Sequence, residues 1–244
     1  LKMKKYFMIF VIVIAGLLIS GIGYVQQKET SPSVLWMNGT FAVLTELNGA
    51  DYTIFGTVEM NEENKQREIQ ALSEWWDVTD RTSADETLDW LLREGHRKDY
   101  VLTMQRMVQS GADKMTQAEL LAFTQEVTGD ETKGYYLANA YYNYKKYGPK
   151  AIDAWDYCRA MSLISWYYVA GYYSESEAMN KSLEVAQIMQ TKFSSWDALM
   201  DSYFRGYEYW AESSSDERRS IYEEIKTRSD SPYHLNWNLV FNKN

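Results

Sequence analysis

Two hydrophobic patterns divide the chain. From Tyr6 to Val25 apolar residues run on without a charge, preceded by Lys2, Lys4 and Lys5. From residue 34 onward, apolar residues instead recur at the three- and four-residue intervals of a helix face. This second pattern predicts amphipathic helices over 34–47, 62–76, 84–94, 98–109, 117–128, 131–147, 149–172, 175–193, 195–211 and 216–228. Residues 51–58 are the one stretch that reads as a strand, and a lone strand makes no sheet. The fold class expected is all-α, a multi-helix globular domain over 34–244 after a polar linker at 26–33.

Local helix-start chemistry supports this. Ser or Thr with an acid three residues later satisfies two orphan backbone donors reciprocally. Ser83 with Glu86, Thr116 with Glu119, Ser174 with Glu177 and Ser214 with Glu217 have this spacing, and Ser194 with Asp197 is a weaker version. Gly148-Pro149 offers a further start, with Pro at the first helical position. The tail after residue 228 is irregular, but its Trp237, Leu239 and Phe241 suit packing back onto the domain. The Trp-Asp pairs at Trp76, Trp155 and Trp196 sit in helical segments at irregular intervals, which excludes a propeller.

The 6–25 run changes the picture of location. About twenty apolar residues rising roughly 1.5 Å each match a hydrocarbon core of about 30 Å. Lysines before the run place the N-terminus in the cytoplasm and the domain outside, as a single-pass membrane protein anchored through residues 1–25. The competing reading is a cleaved signal peptide, with Gly21 and Gly23 before the cut and a secreted domain. No Cys lies near the run, so it is no lipoprotein signal.

Charge and composition narrow the partners. Lys2, Lys4, Lys5 and Lys28 against Glu29 give the first thirty residues +3, so the rest carries −12 of the −9 total. So acidic a surface repels phosphate backbones, which excludes nucleic acid. The single cysteine, Cys158, excludes a disulfide framework and a cysteine zinc site. The 20 Tyr and 9 Trp suit a large aromatic core or, for the Tyr135–Tyr147 stretch, a partner surface.

One segment carries candidate chemistry. Ile152, Trp155, Arg159, Leu163 and Trp166 share a helix face, so Arg159 lies on an apolar stripe. A guanidinium is not buried unpaired. Either Arg159 forms a core ion pair, with Asp156 one turn away or with an acid on another helix, or it lines a pocket and holds an anionic ligand. His96 follows Gly95 at a helix end, where it acts as a capping or packing residue or joins Asp156 and Arg159 in a cleft. Neither His96 nor His234 has metal-ligand spacing, and no nucleophile elbow or phosphate loop is present. Residues lining a ligand site, if there is one, are Trp155, Asp156, Arg159, His96 and Trp196. No cofactor is called for.

The chain resembles the DUF1266 family of bacterial proteins. The resemblance rests on Trp76-Asp77 with Arg81, Leu91-Leu92 with Gly95-His96, and Ala154-Trp155-Asp156 with Arg159. Ala170-Gly171-Tyr172, Glu177-Ala178, Ser195-Trp196 and Gly206 with Trp210 complete it. It implies a helical domain of unknown function and carries over no catalytic residue. The expectation is therefore a membrane-anchored interaction or sensing module of the bacterial envelope, with a protein partner and no catalysis. The alternatives are a hydrolase, or a small anionic-ligand binder, with a cleft around Asp156 and Arg159.

Overall fold

The computed structural model describes residues 30–242, so the expected 6–25 membrane anchor lies outside the described residues. Within them the chain forms α1 (Pro32–Gly39), α2 (Ala42–Leu47), α3 (Glu62–Trp76), α4 (Arg81–Arg93) and α5 (Gly95–Gln109). Next come α6 (Gln117–Thr128), α7 (Glu131–Tyr147), α8 (Asp153–Val169), α9 (Glu175–Lys192), α10 (Trp196–Ala211) and α11 (Asp216–Thr227). Short 3-10 turns lie at Ala112–Lys114, Gly148–Lys150 and Pro232–His234. Among the described residues there is no strand, and no helix is long and apolar enough to cross a membrane.

The centre of the fold is α8. It packs on α1, α3, α4, α5, α9 and α10, and nearly all of its residues are buried. A helix enclosed on every side has no face left for polar residues, so Asp156 and Arg159 are buried by position. The larger core surrounds α8. A smaller one joins Tyr100, Met104 and Met107 of α5 to Leu120 of α6 and Tyr141 of α7. Helices α8 and α10 approach closely. A Cβ on Gly206 would lie 2.2 Å from Cβ of Trp155, so only glycine permits that approach.

Helix starts follow local chemistry where a local cap exists. Thr116–Glu119 and Ser174–Glu177 form reciprocal capping boxes. Elsewhere the expected start shifts. The cap of α4 is Asp80, with Ser83 as its reciprocal third residue rather than as the cap itself. Ser195, not Ser194, caps α10 by accepting from Ala198 N. Ser214 accepts from Asp216 N, while α11 starts after Ser215 with no side-chain cap bond. The helix expected over 149–172 begins only at Asp153, after the Pro149 turn, and the one over 34–47 breaks after Gly39. Residues 32–33 of the expected linker are already helical, with Ser31 as N-cap.

Residues 51–58 are not a strand. Asn38 donates from Nδ2 to the carbonyls of Tyr52 and Ile54, and Asp51 N donates to Thr57 O. These bonds close the segment into a compact loop, and no neighbouring strand offers it a ladder. The tail packs back as expected. Trp237 Nε1 donates to Phe193 O, and Trp36 Nε1 donates to Trp237 O.

Candidate functional site

The corner between α4 and α5 meets the first turns of α8. The backbone there turns through Glu94 and Gly95, whose φ of 58° is left-handed. Both carboxylate oxygens of Asp156 face this corner. Oδ1 accepts from His96 N at 3.0 Å, and Oδ2 accepts from Arg97 N at 3.0 Å and Arg97 Nη1 at 3.2 Å. Asp156 is therefore the N-cap of α5, supplied by another helix, where its charge also meets the positive end of the α5 dipole. A Cβ on Gly95 would stand 2.2 Å from Asp156 Oδ2. Arg97 closes the other side of the corner by donating to the last carbonyls of α4, those of Leu91 and Leu92, at 2.7 and 2.5 Å.

Sixty residues separate His96 from Asp156, yet His96, Asp156 and Arg159 converge. Arg159 Nη2 lies 2.7 Å from His96 Nδ1 and 3.8 Å from Asp156 Oδ1, and His96 Nδ1 lies 3.3 Å from that oxygen. A guanidinium only donates, so His96 Nδ1 is the acceptor and the ring is neutral with its proton on Nε2. Burial, and next the Arg159 charge, hold the His96 pKa below its usual value, against the opposing pull of Asp156. Burial alone would raise the Asp156 pKa. The contact with His96, 3.3 Å from Oδ1, the Arg159 charge and the Arg97 N–H outweigh it and lower the value. Burial brings Arg159 down to about 10, with Asp156 opposing.

Aromatic rings enclose this cluster. The Arg159 guanidinium carbon lies 4.6 Å from the Trp155 ring centroid, 4.9 Å from Trp76 and 5.9 Å from Trp210. The His96 ring meets Trp90 edge-on at 5.0 Å. Asp156 is fully buried, and the Arg159 and His96 side chains are 6% and 16% exposed. Trp76, Trp90 and Trp210 are half-buried and form a roof between the cluster and solvent.

The donor count at this centre does not close. Arg159 Nε and Trp155 Nε1 are buried and have no hydrogen-bond partner. Arg97 and Arg159 both face the one carboxylate of Asp156, with His96 neutral. Cation–π contacts offset part of the unpaired guanidinium, by about 2 kcal/mol where desolvated. The centre has donors to spare, while the carboxylate and His96 Nδ1 are both engaged.

Of the residues expected to line a ligand site, Trp155, Asp156, Arg159 and His96 come together, and Trp196 does not. Trp196 stacks on Trp36 at 4.9 Å and Tyr233 at 5.3 Å in the tail cluster and donates to Leu235 O. Its separate placement follows from α10, which sends its first turn to the tail and its last to the Arg159 roof. Arg97, Trp76, Trp90 and Trp210 join the site without having been expected there. The sequence signal for Arg97 was only its adjacency to His96. Cys158 is buried, its thiol pKa pushed up by that burial, which makes it inert as a nucleophile. Two shallow open grooves, one along α3 and one beside α5 and Pro149, leave Arg159 unlined. Among the described residues no group of three His, Cys, Asp or Glu side chains is placed to hold a metal ion.

Fold and site together define an all-helical domain built around a central helix whose Asp-Arg pair is closed by a histidine. Residues 71–237 match the family model for DUF1266, a protein of unknown function, and the chain belongs to that family. The match covers every residue of the site, from Trp76 to Trp210, and extends through Trp237. No curated protein and no solved structure matches the chain.

Proposed function

We propose that this domain is a non-catalytic binding module that senses a small anion at Arg159. A membrane tether formed by residues 6–25 would hold it on the outer face of a bacterial envelope. The observation that carries the reading is the donor excess: a buried guanidinium with an unpartnered Nε, beside a carboxylate and an imidazole nitrogen already engaged. Hydrolysis by acid–base chemistry needs a free base within reach of substrate. This arrangement offers anion recognition more readily than proton abstraction. An occupied site changes the hold on the α4–α5 corner, which gives occupancy a route to a protein partner on the α5 surface, where Leu102 and Val108 are exposed.

The test is a thermal-shift panel of acetate, benzoate, phosphate and sulfate on the exported domain and its Arg159→Met variant. Stabilisation of the parent alone is the expected result. No stabilisation by any anion, or equal stabilisation of both proteins, overturns the reading. Protease added to intact cells should digest the domain, and protection behind the cytoplasmic membrane would remove the tether from the proposal.

A further inference from the structure

The ligand class and its coupling can be read from the same site, and this step rests on the anion-binding reading above. The two donors on one edge of a guanidinium, Nε–H and one Nη–H, match the two oxygens of a carboxylate side-on. In Arg159 that edge consists of Nε, which has no partner, and Nη2, whose partner is His96 Nδ1 at 2.7 Å. We infer that the Nε/Nη2 edge of Arg159 binds a monocarboxylate with a flat apolar body, and that His96 is the group it displaces, taking up one proton from solvent as it leaves.

Three observations select this class. With two N–H donors on one edge, the fork is matched by the two oxygens of one carboxylate, whereas a phosphate dianion brings further oxygens that the surrounding tryptophans cannot satisfy. The rings of Trp76, Trp90 and Trp210 around the site are apolar and half-buried, and favour an aromatic hydrocarbon body over a hydrated tetrahedral ion. Among the described residues the side chain hydrogen-bonded to the guanidinium is His96, and at 16% exposure it is also the group in the triad nearest solvent.

The proton follows from the geometry. While Arg159 donates to Nδ1, a proton there would face an N–H at 2.7 Å, so the ring stays neutral. Once a carboxylate takes Nη2, Nδ1 is released, and Asp156 Oδ1 at 3.3 Å becomes its acceptor. A proton added to Nδ1 is then hydrogen-bonded and its charge is balanced. The charged groups acting on His96 are Asp156 and Arg159 from α8, and Arg97 and Asp99 from its own helix; α4 and α10 present the Trp90 and Trp210 rings. The ligand adds −1 and the proton +1, so the net charge of the site is unchanged on binding.

The experiment is calorimetric titration of the exported domain with benzoate, acetate and inorganic phosphate at pH 7.5, 6.5 and 5.5, in buffers of different ionisation enthalpy. Benzoate should bind more tightly than acetate, phosphate should not bind, and benzoate binding near pH 6 should take up about one proton. Its Kd should fall by up to tenfold per pH unit on acidification through this range. His96→Asn should bind with no proton uptake and a flat pH profile. Arg159→Lys, which keeps the charge and loses the fork, should bind at least tenfold more weakly, and it substitutes for Arg159→Met should that variant not fold. Benzoate binding without proton uptake, or a pH slope retained in His96→Asn, overturns the inference and leaves anion sensing intact. Phosphate binding without benzoate overturns the ligand class alone. Silence from every anion at every pH removes the anion-sensing reading itself, and this inference with it.

Discussion

Asp156 and Arg159 sit one turn apart on α8 and look like equivalent halves of an ion pair, but their removal should differ sharply. Asp156→Asn deprives Arg97 and Arg159 of their only buried carboxylate and weakens the cap of α5. Destabilisation of about 3–5 kcal/mol is expected, measured by urea unfolding. Arg159→Met leaves Asp156 satisfied by two backbone N–H groups and Arg97, and places a polarisable apolar side chain among the tryptophans. A change within about 1 kcal/mol is expected, and a loss as large as that of Asp156→Asn would show Arg159 to be a structural member of the core. His96 sets the pH dependence. Its folded pKa lies below the unfolded value of 6.5, so its contribution is fully present above pH 6.5 and is lost as pH falls through the folded value. Glu68, its pKa raised by burial to about 7, adds stability as pH falls over the same range. The His96 part is therefore read as the urea midpoint of the unliganded domain minus that of His96→Asn, a difference that should drop between pH 7 and 5. The Asp156 pKa is lowered from 3.8, so its loss on acidification falls at lower pH and is separable.

At the scale of the element, a start capped from nearby is readable in the chain, and one capped from elsewhere is not. Thr116 and Ser174 were placed correctly because cap and acid lie within four residues. The Ser83–Glu86 spacing misled because Asp80, three residues before Ser83, offers the stronger acceptor and takes Ser83 N at 2.8 Å. Asp80→Ala should then cost about 1 kcal/mol in chemical denaturation, while Glu86→Gln should change almost nothing. The reverse order would restore the original assignment. The start of α5 moved three residues upstream, from 98 to Gly95, because its cap arrives from Asp156, about sixty residues away. No local window contains that information.

Over the whole molecule, α8 and the tail play complementary parts. The tail closes one end of the core through a ring cluster in which Trp36 lies 5.0 Å from both Trp237 and Phe241, and Trp196 lies 5.0 Å from Trp237. Trp237→Ala removes one of these rings and the bonds of its indole, so a loss of about 3–5 kcal/mol in a single cooperative transition is expected by calorimetry. A local change that leaves the melting temperature unmoved would show the tail to be an appendage. The sequence by itself determined the helical class, the approximate extent of most helices, the return of the tail and the place of Arg159 on an apolar helix face. Each is written in residues within two helical turns of one another, where periodicity and capping act. Only the tertiary structure decided that Asp156 caps a distant helix, that His96 accepts from Arg159, that Trp196 stands apart, and that the Arg159 Nε is left without a partner. Those facts depend on which helices meet, and that is set by how α8 is enclosed on all sides rather than by any segment alone.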